Sequence, residues 1–397
     1  MRGYRTAADT ERFDPRPILK AIKSVLPLRR PLHHHAPSIN GKESQYVGEC
    51  LASGLAGYQY VDQFQDALAR RLGVCHCVAT SSGTSALQLA LLAAGVRPGD
   101  EVLVPSLTFA ATANAVIYTG ATPNFVDGAL AINPYKLHRY IERTTSPTED
   151  RRGRLNKLTG RRIWGLIVVH LLGQPADTGS LVELCHSFGL EVIEDAAEAL
   201  GSYRGNRAVG TGSLAAIFSF NQNKIVTTNC GGCVVTDDEL IASKCYQLAS
   251  TARIPHKWLV EHDAIGFNYA MGNLNAALGL AQLERLGEFM DKKRQLAAAY
   301  RGAVSNLRGV QFLDPGAGSN NWLSAIVVDP RWVGGRDEIL ALLHADGILA
   351  RCLFTPLHLM EPYRDFPRDR SLLYAEDTAA RVICLPSGVE LVDDRQA

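Results

Sequence analysis

GLIVVHLLGQPADTGSLVELCHSFGLEVIEDAA, residues 165–197, holds two apolar runs separated by a helical stretch. GLIVVH (165–170) is continuously apolar, the pattern of a strand covered on both faces. LVELCHSFGL (181–190) reads as a helix, and EVIEDAA (191–197) opens a second buried strand that ends in acids. Strand, helix and strand at this spacing make a βαβ unit, which places the two strands parallel in one sheet.

The same alternation runs outward in both directions. Upstream, CVAT (77–80) reads as a short strand, TSALQLALLAA (84–94) as a helix, EVLVP (101–105) as a strand and Thr108–Tyr118 as a helix. Downstream, AAIFSF (215–220) and GCVVTD (232–237) are strands. The spacing predicts an α/β fold with a mostly parallel sheet between two helical layers. A long helical pattern runs from Asn273 to about Val304 and links this unit to a smaller α+β part. That part comprises a strand at WLSAIVVD (322–329), a helix at RDEILALLHADG (336–347) and a strand at ILARCLF (348–354). The expected division is an N-terminal extension over 1–35, a large domain over 36–272, and the linking helix with a small C-terminal domain over 273–397. PILKAIKSVLPLRR (17–30) reads as a short basic helix on a surface arm, and the charged segment Arg143–Arg162 as an exposed loop.

Composition excludes several classes. Apolar residues make up 46% of the 397 and charged residues 20%, which supports a sizeable core and argues against disorder. A net charge of +1, from 41 basic and 40 acidic residues, gives no footprint for nucleic acid. Nine scattered cysteines point to a reducing cytoplasm. No apolar stretch reaches the roughly 18–20 residues that span a bilayer, and the N-terminus lacks the apolar run of a signal peptide.

Four segments fall where an open α/β sheet places its ligands, outside the carboxyl ends of the strands. Thr80-Ser81-Ser82-Gly83-Thr84-Ser85 joins a strand to a helix whose first amides suit a phosphate. Asp195 follows a buried strand, where a carboxylate needs a partner such as a protonated pyridine nitrogen. Ser219 and Lys224, in SFNQNKIVTT (219–228), place a hydroxyl and an amine after the next strand; a partly desolvated lysine can form a Schiff base. Asn268, in GFNY (266–269), can donate to an anion.

In order and spacing, these segments resemble the sugar aminotransferases of fold type I, the DegT/DnrJ/EryC1/StrS family. The resemblance runs from about residue 38 to 390. It rests on SSGTSALQLALLAAGVRPGDEVLVPSLTFAATANAV, GATPNFVD, VVHLLGQPAD, VIEDAAEALGSYRG, FSFNQNKIVTTNCGG and IGFNYAMGNLNAALGLAQLE. It implies a seven-stranded sheet and pyridoxal 5'-phosphate as cofactor, with pyridoxamine phosphate between the two half-reactions. By resemblance, Gly83 and Thr84 start the phosphate-binding helix, Phe109 stacks on the ring, Asp195 partners the pyridine nitrogen, and Ser219 binds phosphate. Lys224 is the Schiff-base lysine, and Glu198 stands where many members carry Gln beside the ring hydroxyl. Asn268 matches a residue that reaches the neighbouring subunit's phosphate, so a homodimer with shared active sites is implied. L-glutamate is the implied amino donor and a nucleotide-linked keto sugar the acceptor.

SFNQNK, EDAAEALGSY and TARIPHKW are similar to the branch that aminates C4 of 4-keto-6-deoxy sugars of the bacillosamine, legionaminic acid and perosamine pathways. A UDP-linked 4-keto-6-deoxy-N-acetylglucosamine is favoured, with a GDP-perosamine-type or 3-keto substrate as the alternative. A related sugar dehydratase carries His at the lysine position, and a non-catalytic regulator would lack the lysine or the aspartate; Lys224 and Asp195 argue against both. The sequence departs from the family pattern at Asn229-Cys230, at Ala270 and in the short loop Gly54–Tyr60.

No metal is expected. Cys230-x-x-Cys233 lacks a second pair for zinc, and His33-His34-His35 is an isolated run. His170 reads as a hydrogen-bonded core histidine, and His256, Lys257, His262 and His358 are candidates for contacting a phosphate or a sugar.

Overall fold

The computed structural model describes residues 13–393 apart from Ala56 and Arg151; residues 1–12 of the expected extension and 394–397 lie outside it. Seven strands form the main sheet: β1 (His76–Thr80), β2 (Glu101–Pro105), β3 (Thr122–Val126), β4 (Arg162–Val169), β5 (Glu191–Asp195), β6 (Ala215–Ser219) and β7 (Gly232–Thr236). Their order is β1-β7-β6-β5-β4-β2-β3. β7 pairs antiparallel with both β1 and β6, and the remaining pairs are parallel.

Both faces of the sheet are covered, and its central strands bury successive residues on either side, as β4 does from Ile163 to Val169. In β4, Leu166 and Val168 join a core with the helices Pro134–Thr144 and Thr178–Ser187, whereas Ile167 and Val169 join the opposite core. That second, larger core includes the helices Gln59–Leu72, Gly83–Ala93, Ala110–Tyr118 and Glu239–Ala249. Alternate residues of one strand therefore feed two layers, as strands in a doubly covered sheet do.

The charged segment after Arg143 is not an open loop. Thr145–Pro147 and Arg154–Asn156 form a hairpin that pairs with the start of β4, extending the sheet to nine strands. Fully buried Glu101 accepts from the amides of Asn124 and Asn156, both at 2.8 Å, and from the Thr159 hydroxyl. A buried carboxylate needs such donors, and here they tie the hairpin to the sheet.

A second sheet is wholly antiparallel, in the order β8 (Val310–Phe312), β9 (Ala325–Val328), β11 (Val382–Cys384), β10 (Arg351–Cys352). The basic helix expected on a surface arm spans Arg16–Val25 and is instead part of this unit. Ile18, Ile22 and Val25 recur at helical spacing, are buried, and share a core with Leu296, Tyr300, Ile339 and Ile383. The charges of the arm serve the same docking: Lys23 and Arg30 both pair with Asp346, at 2.6 Å and 3.3 Å. The long linking helix is two helices, Asn273–Glu284 and Leu286–Val304, separated at Arg285.

Candidate active site

The ends of β1, β5 and β6 and the start of β7 meet on one side of the main sheet, at a cavity of about 300 Å³. Ser82 caps the helix Gly83–Ala93: its hydroxyl accepts from the Ser85 amide at 3.0 Å, and the Ser85 hydroxyl accepts from the Ser82 amide at 3.0 Å. The cap consumes the third amide, so those of Gly83 and Thr84 remain at the helix mouth, and both residues line the cavity. The cup has room only for glycine. A Cβ on Gly83 would stand 2.9 Å from the Ser219 Cβ, and one on Gly232 would stand 2.5 Å from the Gly83 nitrogen. Two free amides, a positive helix end and the Ser219 hydroxyl make a donor set that fits a phosphate dianion.

Asp195 ends β5, lines the same cavity and is 7% exposed. Its Oδ2 accepts from Thr112 Oγ1 at 2.7 Å, and its Oδ1 from the Ala197 amide at 3.2 Å. Since Thr112 donates to Asp195, Thr108 donates to Thr112 across 2.9 Å, and the three residues form one chain. The neighbouring Glu194 faces away. It accepts from His170 Nε2 at 2.8 Å, the Thr178 and Ser213 hydroxyls at 3.0 Å, and the amides of Gly210 and Gly212. Burial alone would raise Glu194; His170 and the other donors prevail and hold its pKa at about 2. His170 Nδ1 accepts from the Ala176 amide, which leaves Nε2 to donate to Glu194, so this histidine belongs to the core.

Lys224 follows β6 in a loop whose polar tip folds back toward the sheet. Its Nζ lies 3.6 Å from Glu198 Oε1 and 4.1 Å from the centre of the Trp322 ring. Burial pushes the Lys224 pKa down, Glu198 and Asp195 hold it up, and Arg351 adds to the lowering. Burial likewise pushes Glu198 up against the pull of Lys224. The other carboxylate oxygen of Glu198 accepts from the Leu172 amide at 2.8 Å, where Leu172 adopts a left-handed conformation with φ of 56°. This amine is therefore poised to lose its proton more readily than a solvated lysine. Phe109, 58% exposed, stands at the cavity wall with its ring 5.5 Å from that of Phe354.

The structure thus brings together Gly83, Thr84, Phe109, Asp195, Glu198, Ser219 and Lys224. The donor set and the amine fit a phosphorylated pyridine aldehyde: a cup for the phosphate, a buried acid for the ring nitrogen and a lysine for the carbonyl. Asn268 is not among these residues. It is exposed on the strip 266–270, which hydrogen-bonds alongside β1 through the Ser81 amide and the Tyr269 carbonyl at 2.7 Å.

Other candidates fall elsewhere. His358 does not face a ligand: Ser106 Oγ lies 2.6 Å from its Nδ1 and Glu376 Oε1 3.2 Å from its Nε2. His256 accepts from the amides of Trp258 and Leu259, and His262 contacts the Thr251 carbonyl; with Lys257, both lie on an exposed loop away from the cavity. His35 is buried with neither ring nitrogen hydrogen-bonded, and burial beside Lys293 pushes its pKa well below 6.5. Among the described residues no three His, Cys, Asp or Glu side chains gather as metal ligands, and no helix is long and apolar enough to cross a membrane.

Sequence reasoning missed Thr112, Trp322, Arg351 and Phe354, all of which line the cavity. Trp322 and Arg351 lie in apolar runs read only as strands, although β9 starts after Trp322 and β10 is two residues long. One signal was available: Arg351 is the single charged residue in ILARCLF.

Residues 37–397 match the DegT/DnrJ/EryC1/StrS aminotransferase family. The GDP-perosamine synthase of Escherichia coli O157:H7 is 36% identical over 365 residues, covering 91% of this chain and 94% of that protein. The GDP-perosamine synthase of Vibrio cholerae is 34% identical over 366 residues, covering 91% and 95%. Among solved structures, Helicobacter pylori PseC, an aminotransferase in pseudoaminic acid biosynthesis, superposes with a TM-score of 0.82 at 27% identity, covering 92% of this chain and 97% of that one.

Proposed function

The chain belongs to the DegT/DnrJ/EryC1/StrS aminotransferase family of pyridoxal phosphate-dependent sugar aminotransferases, and from that premise we propose that it transfers the amino group of L-glutamate to C4 of a nucleotide-linked 4-keto-6-deoxy sugar. The likeness to two GDP-perosamine synthases favours a GDP-linked sugar of perosamine type over the UDP-linked N-acetyl sugar that the motifs alone favoured. The observation that carries the reading is the convergence of Lys224, Asp195 and the 83–84 helix mouth, distant in sequence, on one cavity.

The bound cofactor supplies an aldehyde carbon that carries the amino group between substrates and a ring that accepts the electrons left by a departing proton. The chain does the rest. The amides of Gly83 and Thr84 and the Ser219 hydroxyl hold the phosphate. Asp195, oriented by Thr112 and the Ala197 amide, keeps a proton on the ring nitrogen. Phe109 and Glu198 line the same cavity, where Phe109 would cover a face of the bound ring and Glu198 would meet its hydroxyl. Lys224 Nζ takes the Cα proton of the donor in the first half-reaction and delivers a proton to the sugar C4 in the second. Glu198 and Trp322 keep the freed amine near the reacting carbon.

A homodimer completes the proposal. Asn268 is exposed beside β1, and the adjacent loop exposes Trp258, Val260 and Ile265, a surface suited to a second copy.

The test is a panel of GDP-, UDP- and dTDP-linked 4-keto-6-deoxy sugars with L-glutamate, the product read by mass and by NMR of the aminated carbon. The expected result is a C4-amino GDP sugar from the wild type and none from Lys224→Ala. Amination only of a UDP sugar moves the nucleotide assignment, and turnover retained by Lys224→Ala removes the lysine from its role.

A further inference from the structure

A second, smaller chamber of about 10 Å³ adjoins the Lys224 cavity. Glu198, Ser219 and Lys224 line both spaces, and Asn320, Ile225 and Val226 line the smaller one alone. A space of this size takes one water, which is stable away from bulk solvent only with two to four polar partners. The wall supplies them. Lys224 Nζ and Glu198 Oε1 stand 3.6 Å apart, too far for a direct hydrogen bond and close enough for one water to bond both. Glu198 Oε2 is taken by the Leu172 amide at 2.8 Å, and among the described residues no donor bonds Oε1. Asn320 Nδ2 holds the Glu198 and Leu200 carbonyls at 2.8 Å and 3.0 Å, which fixes the backbone that carries the carboxylate.

The chemistry asks for such a bridge. In the reading given above, Lys224 acts as a base first and as an acid later, so its amine must lose and regain a proton inside a buried site. We propose that one water in this chamber relays a proton between Lys224 Nζ and Glu198 Oε1, which makes Glu198 the proton store of the lysine. The inference rests on the aminotransferase reading of this cavity. The transfer balances: the Lys224 ammonium gives a proton to the water, the water gives one of its own to the Glu198 carboxylate, and an amine, a water and a carboxylic acid remain. Net charge does not change, so the pair needs no exchange with bulk solvent. Burial works toward the same end, pushing Lys224 down and Glu198 up. The other charges nearby favour neither side: Asp195 raises both groups and Arg351 lowers both, while buried His35 is held neutral. A glutamine at 198 would keep the shape, yet it takes no proton.

The experiment has two arms on the cofactor-loaded protein. Crystals of the pyridoxamine phosphate form, in which the Lys224 amine is free, are expected to show an ordered water within hydrogen-bond distance of both Nζ and Oε1. In the second arm, loss of the yellow colour in a single turnover at saturating L-glutamate is followed against pH in wild type and Glu198→Gln. A lysine and an acid that share one proton keep a constant amount of the reactive pair, so the wild-type rate is expected to be nearly flat between about pH 6 and 8. In Glu198→Gln only bulk solvent can take the proton, and the rate falls roughly tenfold for each pH unit below the pKa of the lysine. A purely structural role for Glu198 lowers the rate equally at every pH, so parallel profiles in the two proteins overturn the proposal. A wild-type rate that itself falls roughly tenfold per pH unit overturns it even where Glu198→Gln does not fold. Crystals with no water shared by the two atoms overturn it as well. A loaded wild type that L-glutamate never bleaches overturns the aminotransferase reading itself, and the purpose of the relay with it.

Discussion

Replacing Glu194 by Gln tests how firmly the end of β5 is held, because this buried carboxylate precedes Asp195 and takes five hydrogen bonds from His170, Thr178, Gly210, Gly212 and Ser213. Its pKa is held at about 2, against 4.5 for a free glutamate. A depression of that size corresponds to roughly 3 kcal/mol of folding free energy. Because the folded value lies below the unfolded one, this stability is fully present above the unfolded pKa and fades as pH falls through the folded one. Urea midpoints of wild type and Glu194→Gln, measured from pH 7 down to pH 3, give the answer. At neutral pH the variant is expected to be less stable by about 3 kcal/mol, and the gap narrows as the solution is acidified. Other carboxylates titrate in both proteins and cancel in the difference. A gap that stays constant across the range refutes the account, because it would mean that the negative charge contributes nothing.

Two further outcomes follow from the geometry. Thr112→Val preserves shape and removes the 2.7 Å bond to Asp195, and loss of a hydrogen bond to a charged group predicts roughly tenfold weaker retention of cofactor on dialysis; undiminished retention would show that Asp195 needs no such support. If Asn268 serves the partner's site, mixing inactive Lys224→Ala with a defective Asn268→Asp variant under subunit-exchange conditions restores activity, since each hybrid holds one intact site. No recovery on mixing would confine Asn268 to its own subunit.

Most of the main sheet was legible because six of its strands are short, largely apolar runs near helical stretches, and the cavity residues at the strand ends came with them; β3, TPNFV, carries Thr, Pro and Asn and did not stand out as a strand. Lys224, Asp195 and Gly83 were found by position: each follows a strand whose end could be read. What escaped lies where pattern carries two meanings. Ile18, Ile22 and Val25 form a clear helical stripe, yet a stripe does not say what covers it, and the basic residues around it suggested water rather than the core it joins. Arg143–Arg162 is polar and charged, and its hairpin is tied down by Glu101, a partner over forty residues upstream in sequence. His358 looked like a ligand-binding group because its partners, Ser106 and Glu376, are remote from it in the chain. Arg351 reaches the cavity from a separate sheet and Trp322 from the segment that leads into it, a meeting that tertiary packing alone creates.

The short run Asn320–Trp322 ties that separate sheet to the chemistry. Asn320 Nδ2 donates to the carbonyls of Glu198 and Leu200, while Trp322 grips the Asn223 carbonyl beside the lysine. Anyone grafting the C-terminal portion of a relative onto this chain to alter its sugar preference must treat these three residues as a seam. A splice made on either side of them, with both halves unmatched, would yield a protein that folds in two parts and leaves its amine without a wall.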